Sequence, residues 1–188
     1  VNGILVGEHK GGYDPFSFDI TPFLKKSGKQ TLRVKVMDAT DNSLQPRGKQ
    51  CFINRSIWYT PVSGIWQNVW LENVPGNYME KVILTPDLHS VKVKVCMNHG
   101  EENVSFKAHV KLENGEIITQ EFEGTEGIID LSAYSPRLWT VEDPYLYTMT
   151  IETKEDAVET YFALRTIEIA EIDGISRVCL NGKPIFMH

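Results

Sequence analysis

The sequence predicts an all-β protein. Apolar and polar residues alternate along many short segments, and no segment keeps a helical period of 3.6 residues. Between residues 76 and 172, turn signals recur roughly every 8 to 12 residues and separate about seven short strands. This spacing is typical of an immunoglobulin-like β-sandwich, although the Cys–Trp–Cys pattern of antibody domains is missing.

Residues 57–72 form the most aromatic stretch of the chain. They contain three of the four tryptophans, Trp58, Trp66 and Trp70, among residues that favour strands. Beyond Ile65, one set of alternating side chains suits a core, whereas Trp66 and Trp70 point the other way and need separate cover. Domain packing and a stacked sugar both provide such cover. If Trp66 and Trp70 are fully buried by packing, either alanine substitution costs about 3–5 kcal/mol.

The segments before this stretch are predicted to be strands joined by turns. Asn2-Gly3 favours a type I′ turn, and residues 16–20 and 32–36 alternate as strands do. Thr21, followed by Pro22, is the expected N-cap of a short helix that ends by Gly28. Residues 38–50 are polar and predict a long loop, a kind of segment that is often functional.

The second part of the chain has the clearest strand patterns. Residues 91–97, 104–112 and 145–151 alternate strictly, and Asn114-Gly115 predicts a hairpin after the second of these. The apolar phase changes between residues 162 and 169, which predicts a β-bulge near Arg165. Further turns are expected at 173–174 and 181–182, and residues 74–77 predict a linker between domains.

Composition excludes several classes of function. The formal net charge of -6 argues against nucleic acid as a partner, and no apolar run is long enough to span a membrane. Three widely spaced cysteines and five histidines without ligand spacing predict neither a disulfide framework nor a metal site, and we expect no cofactor.

Because both ends lie within predicted strands or hairpins, we expect flanking sequence to be missing. The compartment of this soluble chain, periplasm or cytoplasm, stays open.

The search for catalytic residues finds none. Glycoside hydrolysis needs two facing carboxyl groups, and no acidic pair has a distinctive setting. Glu142-Asp143 is expected in a solvated turn, and the sequence around Ser63 is not a nucleophile elbow. Asp38 and Asp41 border the long loop and are therefore the acidic residues best placed to join a site.

Four stretches carry a resemblance to a known family. The first is VNGILVG at 1–7 with GGYDPFSFDIT at 11–21, and the second is PRGKQ at 46–50 with SGIWQNVWLE at 63–72. The third is LW at 138–139 with EDP at 142–144 and LY at 146–147, followed by Phe162 and Arg165. The fourth is LNGKPIF at 180–186. In this order they resemble the non-catalytic front of glycoside hydrolase family 2, especially its β-galactosidases. The resemblance implies a partial sugar-binding jelly-roll sandwich over 1–75, an immunoglobulin-like β-sandwich over 76–172, and over 173–188 the opening hairpin of a (β/α)8 barrel.

The resemblance also implies what this chain lacks. The catalytic glutamates of the family lie in the barrel, beyond the residues present, so no catalytic residue is assigned here. By this resemblance, loop 38–50 is expected to reach the sugar pocket, with Asp41, Arg47 and Gln50 as predicted substrate-binding residues. Trp58 is the fourth predicted binding residue, on the separate ground that sugar rings stack on aromatic faces and that it lies near the loop. The implied partners are a carbohydrate bound through the barrel and the neighbouring domains of the same protein. The oligomeric state and the sugar stay open, because galactosidases, glucuronidases and mannosidases share this framework.

Two hypotheses therefore stand. In the first, the chain is an accessory region of a family 2 glycosidase that braces the barrel and shapes its sugar pocket. In the second, it is a free-standing β-sandwich module that binds glycans or a protein through its aromatic residues and has no enzyme activity.

Overall fold

A computed structural model describes residues 1–100 and 104–186. The chain divides into two compact units, Val1–Leu71 and Glu72–His188, and each is described by itself. The division lies close to the linker that the sequence predicts at residues 74–77. The described part of the chain contains two 3-10 turns and antiparallel sheets, which confirms the all-β class.

A two-layer sandwich forms the larger part of the second unit. One sheet has the strand order β1–β2–β5 and the other the order β4–β3–β6–β7, and every pairing is antiparallel. This is the A-B-E and C-F-G arrangement of immunoglobulin-like domains with a fourth strand beside strand C. The strands are β1 Met79–Pro86, β2 Ser90–Met97, β3 Ser105–Lys111, β4 Ile117–Glu123, β5 Glu126–Asp130, β6 Tyr147–Glu152 and β7 Ala157–Phe162.

The core of the sandwich follows from the period-2 patterns. Val91, Val93 and Val95 of β2 are essentially inaccessible, whereas the lysines between them face solvent. Strand β3 places Phe106, Ala108 and Val110 in the same core, and β6 adds Tyr147, Met149 and Ile151. Full burial of each large apolar side chain stabilises the fold by about 1.5–3 kcal/mol. These three strands were correctly predicted from the sequence.

A separate three-stranded sheet completes the second unit. Its strands are β8 Ile167–Ile172, β9 Ile175–Leu180 and β10 Lys183–Pro184, joined at Asp173-Gly174 and Asn181-Gly182. All four of these turn residues have positive φ, as type I′ turns require. The predicted bulge near Arg165 is wrong. The apolar phase changes there because the chain leaves the sandwich after β7 and begins another sheet at β8.

The first unit has little regular structure. All of residues 1–71 are described, and they contain one 3-10 turn, Thr21–Phe23, and one isolated bridge, between Gln50 and Tyr59. The predicted type I′ turn is present, since Asn2 and Gly3 have φ of 51° and 87° and the Ile4 N–H donates to Val1 O at 2.9 Å. The strand patterns at 16–20, 32–36 and 57–72 form no ladder within the unit.

The short helix predicted at Thr21 is present as a single 3-10 turn. A single turn ends at Phe23, before Gly28, and the N-cap is Ile20 rather than Thr21. The Thr21 N–H donates instead to Asp19 Oδ1 at 2.8 Å, so the carboxylate of Asp19 supplies the acceptor at this turn.

Candidate functional site

The predicted loop 38–50 lines a cavity of about 560 Å³ in the first unit. This volume lies within the range of small-molecule sites, about 300–1,000 Å³. The lining is completed by Tyr13, Tyr59, Thr60 and Val62, so the cavity is built from three separate segments. Its polar and aromatic lining residues are Tyr13, Asp38, Thr40, Gln45, Arg47, Lys49, Gln50, Tyr59 and Thr60.

Asp38 organises the beginning of the loop. Its Oδ1 accepts the Thr40 N–H at 2.7 Å and the Gln45 amide at 2.6 Å, while Oδ2 accepts the Ser63 hydroxyl at 3.0 Å. These bonds, that from the Thr40 backbone first, hold the pKa of Asp38 below its usual value. Thr40 is buried and has a φ of 49°, a left-handed conformation that is uncommon for threonine. The Asp38 carboxylate stabilises this turn and joins it to Ser63.

Three of the four predicted binding residues lie at this loop. Arg47 and Gln50 line the cavity, and Asp41 pairs with Arg47, Nη1 to Oδ2, at 3.5 Å. Asp41 Oδ2 also accepts the Phe52 N–H at 3.2 Å, and Gln50 Oε1 accepts the Val62 N–H at 2.6 Å. Each residue thus stabilises the loop, and the Gln50 amide nitrogen keeps its two N–H donors for a further partner.

Trp58 is not brought to the cavity. It lies in the same unit with 40% of its surface exposed, but it is absent from the cavity lining. Trp66 and Trp70 are 68% and 70% exposed, so the described residues do not bury them. The loss of stability of about 3–5 kcal/mol that we predicted for alanine substitution of a fully buried Trp66 or Trp70 therefore does not apply to the chain as described. Trp66 has a different role, because its indole N–H donates to Gly12 O at 2.7 Å.

Sequence reasoning missed the four lining residues outside loop 38–50, which are Tyr13, Tyr59, Thr60 and Val62. Tyr59 reaches loop 38–50 through the bridge to Gln50, with its N–H donating to Lys49 O at 2.8 Å and its carbonyl accepting the Cys51 N–H at 3.2 Å. Single bridges of this kind leave no periodic pattern. The one available signal was the position of Tyr59 beside Trp58, shortly after the loop.

A second, smaller cavity of about 290 Å³ lies in the sandwich near Arg137. The Arg137 guanidinium makes two 2.7 Å bonds to Asp143, pairs with Glu113, and lies 4.7 Å from the centroid of the Tyr145 ring. The sequence predicted only a solvated turn at Glu142-Asp143, whereas in the structure Asp143 also forms an ion pair with Arg137. Because the charge of Arg137 is already matched, this cluster is a structural joint rather than a ligand site.

Two further searches of the described residues concern metals and membranes. No group of three or more potential ligands from His, Cys, Asp and Glu comes together in residues 1–100 and 104–186. Over the same residues, no helix has the length and apolar character needed to cross a bilayer.

Comparison with known proteins gives consistent matches. Residues 77–165 match the family model described as "Glycosyl hydrolases family 2". The chain is 26% identical over 98% of its length to a β-galactosidase of Thermoanaerobacter pseudethanolicus, of which the alignment covers 26%. It is 28% identical over its full length to a putative β-glucuronidase of Formosa agariphila, covering 23% of that protein.

One solved structure has a similar fold over part of this chain. The β-glucuronidase of Ruminococcus gnavus matches 60% of this chain with a TM-score of 0.50 and 24% identity, and 18% of that protein is covered. At this identity the likeness shows the fold alone. The chain spans about a quarter of the length of the curated relatives it matches.

Proposed function

Since residues 77–165 match the model of glycoside hydrolase family 2, we propose that this chain is a non-catalytic accessory region of a glycosidase that hydrolyses O-glycosidic bonds. The observation that carries the proposal is the alignment of this chain, over almost its whole length, with a small part of much longer glycosidases. The acidic residues of loop 38–50 support a structural role, because the carboxylates of Asp38 and Asp41 accept hydrogen bonds from the backbone of the same unit.

The bracing part of this role is supported by the joint between the sandwich and the β8–β10 sheet. Asn181 donates through Nδ2 to Trp139 O and accepts the Thr166 N–H through Oδ1, both at 3.0 Å. The Arg165 guanidinium lies 4.5 Å from the centroid of the Trp139 ring, within cation–π range. Together these contacts hold the last sheet in a fixed orientation on the sandwich, as a brace for a following domain requires.

The pocket-shaping part of the role is supported by the cavity at loop 38–50. In this proposal Arg47 and Gln50 face the sugar, and Asp41 orients Arg47. Trp58 was also predicted to bind substrate. It lies outside the cavity lining, and 40% of its surface is exposed.

The test compares the 188-residue chain with the complete protein. We expect the chain alone to hydrolyse neither p-nitrophenyl β-galactoside nor p-nitrophenyl β-glucuronide, and the complete protein to hydrolyse at least one aryl glycoside. Turnover that stays with the purified 188-residue chain through successive columns would contradict a non-catalytic role. A complete protein inactive on a panel of aryl glycosides would contradict the glycosidase assignment.

A second candidate function is favoured by the exposed aromatic residues of the first unit. In this hypothesis the chain is a free-standing module that binds glycans or a protein partner. Isothermal titration with galactosides and β-linked oligosaccharides separates the two functions. Saturable binding that is lost in Trp58→Ala and kept in Trp58→Phe would favour the module.

A further inference from the structure

Asparagine is followed by glycine at three turns of the chain, at Asn2, Asn114 and Asn181. This dipeptide is open to deamidation, because glycine has no side chain that hinders attack of its backbone nitrogen on the preceding side chain. Asparagine is accordingly one of the thermolabile residues. Since the three sites share this local chemistry, differences in their reactivity come from the structure that surrounds each of them.

The covalent step at Asn114 needs only water. The backbone nitrogen of Gly115 bonds to Cγ of Asn114, and the side-chain amide nitrogen leaves as ammonia, carrying away the proton of the attacking nitrogen. The product is a cyclic imide, and water opens either of its two C–N bonds to give aspartate or isoaspartate. Nothing is oxidised or reduced. Each event replaces a neutral amide by a carboxylate, which is ionised at neutral pH.

The side chain of Asn2 is tied to distant parts of the first unit. Its Nδ2 donates to Phe23 O and to Gln30 Oε1, both at 2.8 Å, and its Oδ1 accepts the Thr31 N–H at 3.0 Å. Ring closure requires Cγ to turn towards the next backbone nitrogen. That movement breaks these bonds, so they oppose the reaction.

Asn181 is held in the same way in the second unit. Its Nδ2 donates to Trp139 O and its Oδ1 accepts the Thr166 N–H, both at 3.0 Å, across 42 and 15 positions of the sequence. Its own N–H donates to Thr166 O at 3.0 Å. The loss of two such side-chain bonds on opening is expected to slow the reaction roughly 5- to 30-fold.

The side chain of Asn114 is tied only locally. Among the described residues it bonds to Glu116 alone, where Oδ1 accepts the N–H at 2.9 Å and Nδ2 donates to Oε2 at 3.4 Å. The Gly115 N–H donates to Leu112 O at 3.0 Å within the same exposed turn between β3 and β4. Unlike the other two asparagines, Asn114 does not have a left-handed φ. Opening one exposed turn frees both reacting groups and is a local event of low free energy.

From these differences we propose that Asn114 is the first site of deamidation in this chain, and that tertiary hydrogen bonds protect Asn2 and Asn181. The new carboxylate adjoins Glu113, which pairs with Arg137, and Asn114 itself lines the 290 Å³ cavity beside that pair. The modification therefore places negative charge at the ion pair, while the joint at Asn181 keeps its amide. The proposal is independent of the proposed function.

The experiment incubates the complete protein at pH 8 and follows each of the three asparagines by peptide mapping with mass spectrometry. In native buffer we expect Asn114 to react at least about fivefold faster than Asn2 and Asn181. A parallel sample in concentrated urea has lost the tertiary bonds. There the three rates should converge, because the local dipeptide is the same.

A matched pair of variants tests the protection of Asn2. Gln30→Ala removes one partner of its Nδ2 and should raise the rate at Asn2 about twofold to tenfold, with Asn114 unchanged. Gln67→Ala removes an exposed glutamine of the same unit and should change neither rate. The comparison between buffer and urea uses the wild type, so it stands even where Gln30→Ala does not fold.

Three results would overturn the inference. The first is deamidation of Asn2 or Asn181 before Asn114 in native buffer, and the second is equal rates at all three sites there. The third is the same ratio of rates in urea as in buffer, because local sequence would then set the order. None of these readouts uses turnover of a glycoside.

Discussion

Tyr147 shows how one side chain fixes a connection of the sandwich. Its hydroxyl accepts the Arg137 N–H at 2.7 Å and donates to Arg137 O at 3.2 Å, while its ring is 2% exposed and stacks on Phe162. Burial raises the pKa of Tyr147, so the hydroxyl stays protonated and remains a donor. A tyrosine near the start of strand F that bonds the backbone upstream is the tyrosine corner of immunoglobulin-like sandwiches.

Tyr147→Phe isolates this hydroxyl, because the ring and its packing are kept. The Arg137 N–H and C=O lose their partner, and we expect the free energy of unfolding to fall by about 1–3 kcal/mol. Urea denaturation monitored by tryptophan fluorescence measures the change. Tyr161→Phe, at an exposed position of β7, should stay within about 0.5 kcal/mol of the wild type. The same urea midpoint for Tyr147→Phe and the wild type would contradict the role of the hydroxyl.

The ion pair of Arg137 and Asp143 makes stability depend on pH. The hydrogen bonds from Arg137 hold the pKa of Asp143 below its usual value of 3.8. A carboxyl group with a depressed pKa in the folded state contributes stability that is fully present above the unfolded value and is lost as the pH falls through the folded value. Because the pair is solvent-exposed, salt screens part of this contribution.

Asp143→Asn removes the titrating group and keeps the shape of the side chain. We expect the variant to be less stable than the wild type by a constant amount between pH 7 and pH 5, and the gap to narrow below about pH 3.8. Urea titrations at pH 7, 5 and 3 give the comparison, and 1 M NaCl at pH 7 should also reduce the gap. A gap as large at pH 3 as at pH 7 would exclude this carboxylate as the cause.

A single glycine in strand β5, Gly127, lets the two sheets of the sandwich pack closely against each other at this point. A Cβ built on Gly127 would overlap the ring of Phe122 from β4, which lies closer than van der Waals contact allows. Phe122 packs in turn on Phe106 of the core, with ring centroids 5.0 Å apart. The glycine is required for space rather than for backbone conformation, because its φ is not in the left-handed region.

Gly127→Ala is therefore expected to destabilise the sandwich by overpacking, by about 1–3 kcal/mol. The double variant Gly127→Ala/Phe122→Leu should lose less than the sum of its single variants, because the smaller side chain leaves room for the new methyl group. Gly76→Ala is the matched control, since nothing lies within 4 Å of its added Cβ and its φ is ordinary. Strict additivity in the unfolding free energies would show that the two residues do not compete for space.

The strands that were predictable from the sequence share one property: their partners lie in the same unit. Strands β2, β3 and β6 alternate strictly and find neighbours on both sides in the sandwich. Residues 32–36 alternate as clearly, yet Val34 is 56% exposed and no strand of the first unit pairs with them. Alternation reports which side chains suit a core, whereas a ladder also needs a partner that local sequence does not specify.

The candidate cavity was predictable in part for the same reason. Polarity and length marked loop 38–50, and Arg47 and Gln50 do line the cavity. Tyr59 was missed because its place depends on a single bridge to Gln50, whereas Trp58 was predicted because it is the tryptophan nearest the loop in sequence. The phase change at Arg165 was noticed, but the sequence alone does not distinguish a bulge from a change of sheet.

The two units differ in how they hold their apolar residues. In the second unit, one cluster of inaccessible side chains joins both sheets of the sandwich. In the first unit, most large apolar side chains are exposed, among them Leu5 at 73% and Leu71 at 78%. Apolar surface of this extent is a feature of interfaces rather than of isolated domains. This contrast is consistent with a first unit that other parts of a larger protein cover.

The contrast predicts unequal resistance to protease in the 188-residue chain. Cleavage needs local opening, and opening costs little where few apolar contacts and no ladders hold the backbone. We expect trypsin, at low ratio and short times, to cut within residues 1–71 first, at sites such as Lys25, Arg33 and Arg55, and to leave a fragment containing residues 79–180. Intact-mass spectrometry identifies the fragments. Lys94 and Lys107 serve as internal controls, because they lie in paired strands of the sandwich and should be cut late. First cuts at Lys94 or Lys107, with residues 1–71 intact, would mean that the first unit is the more stable of the two.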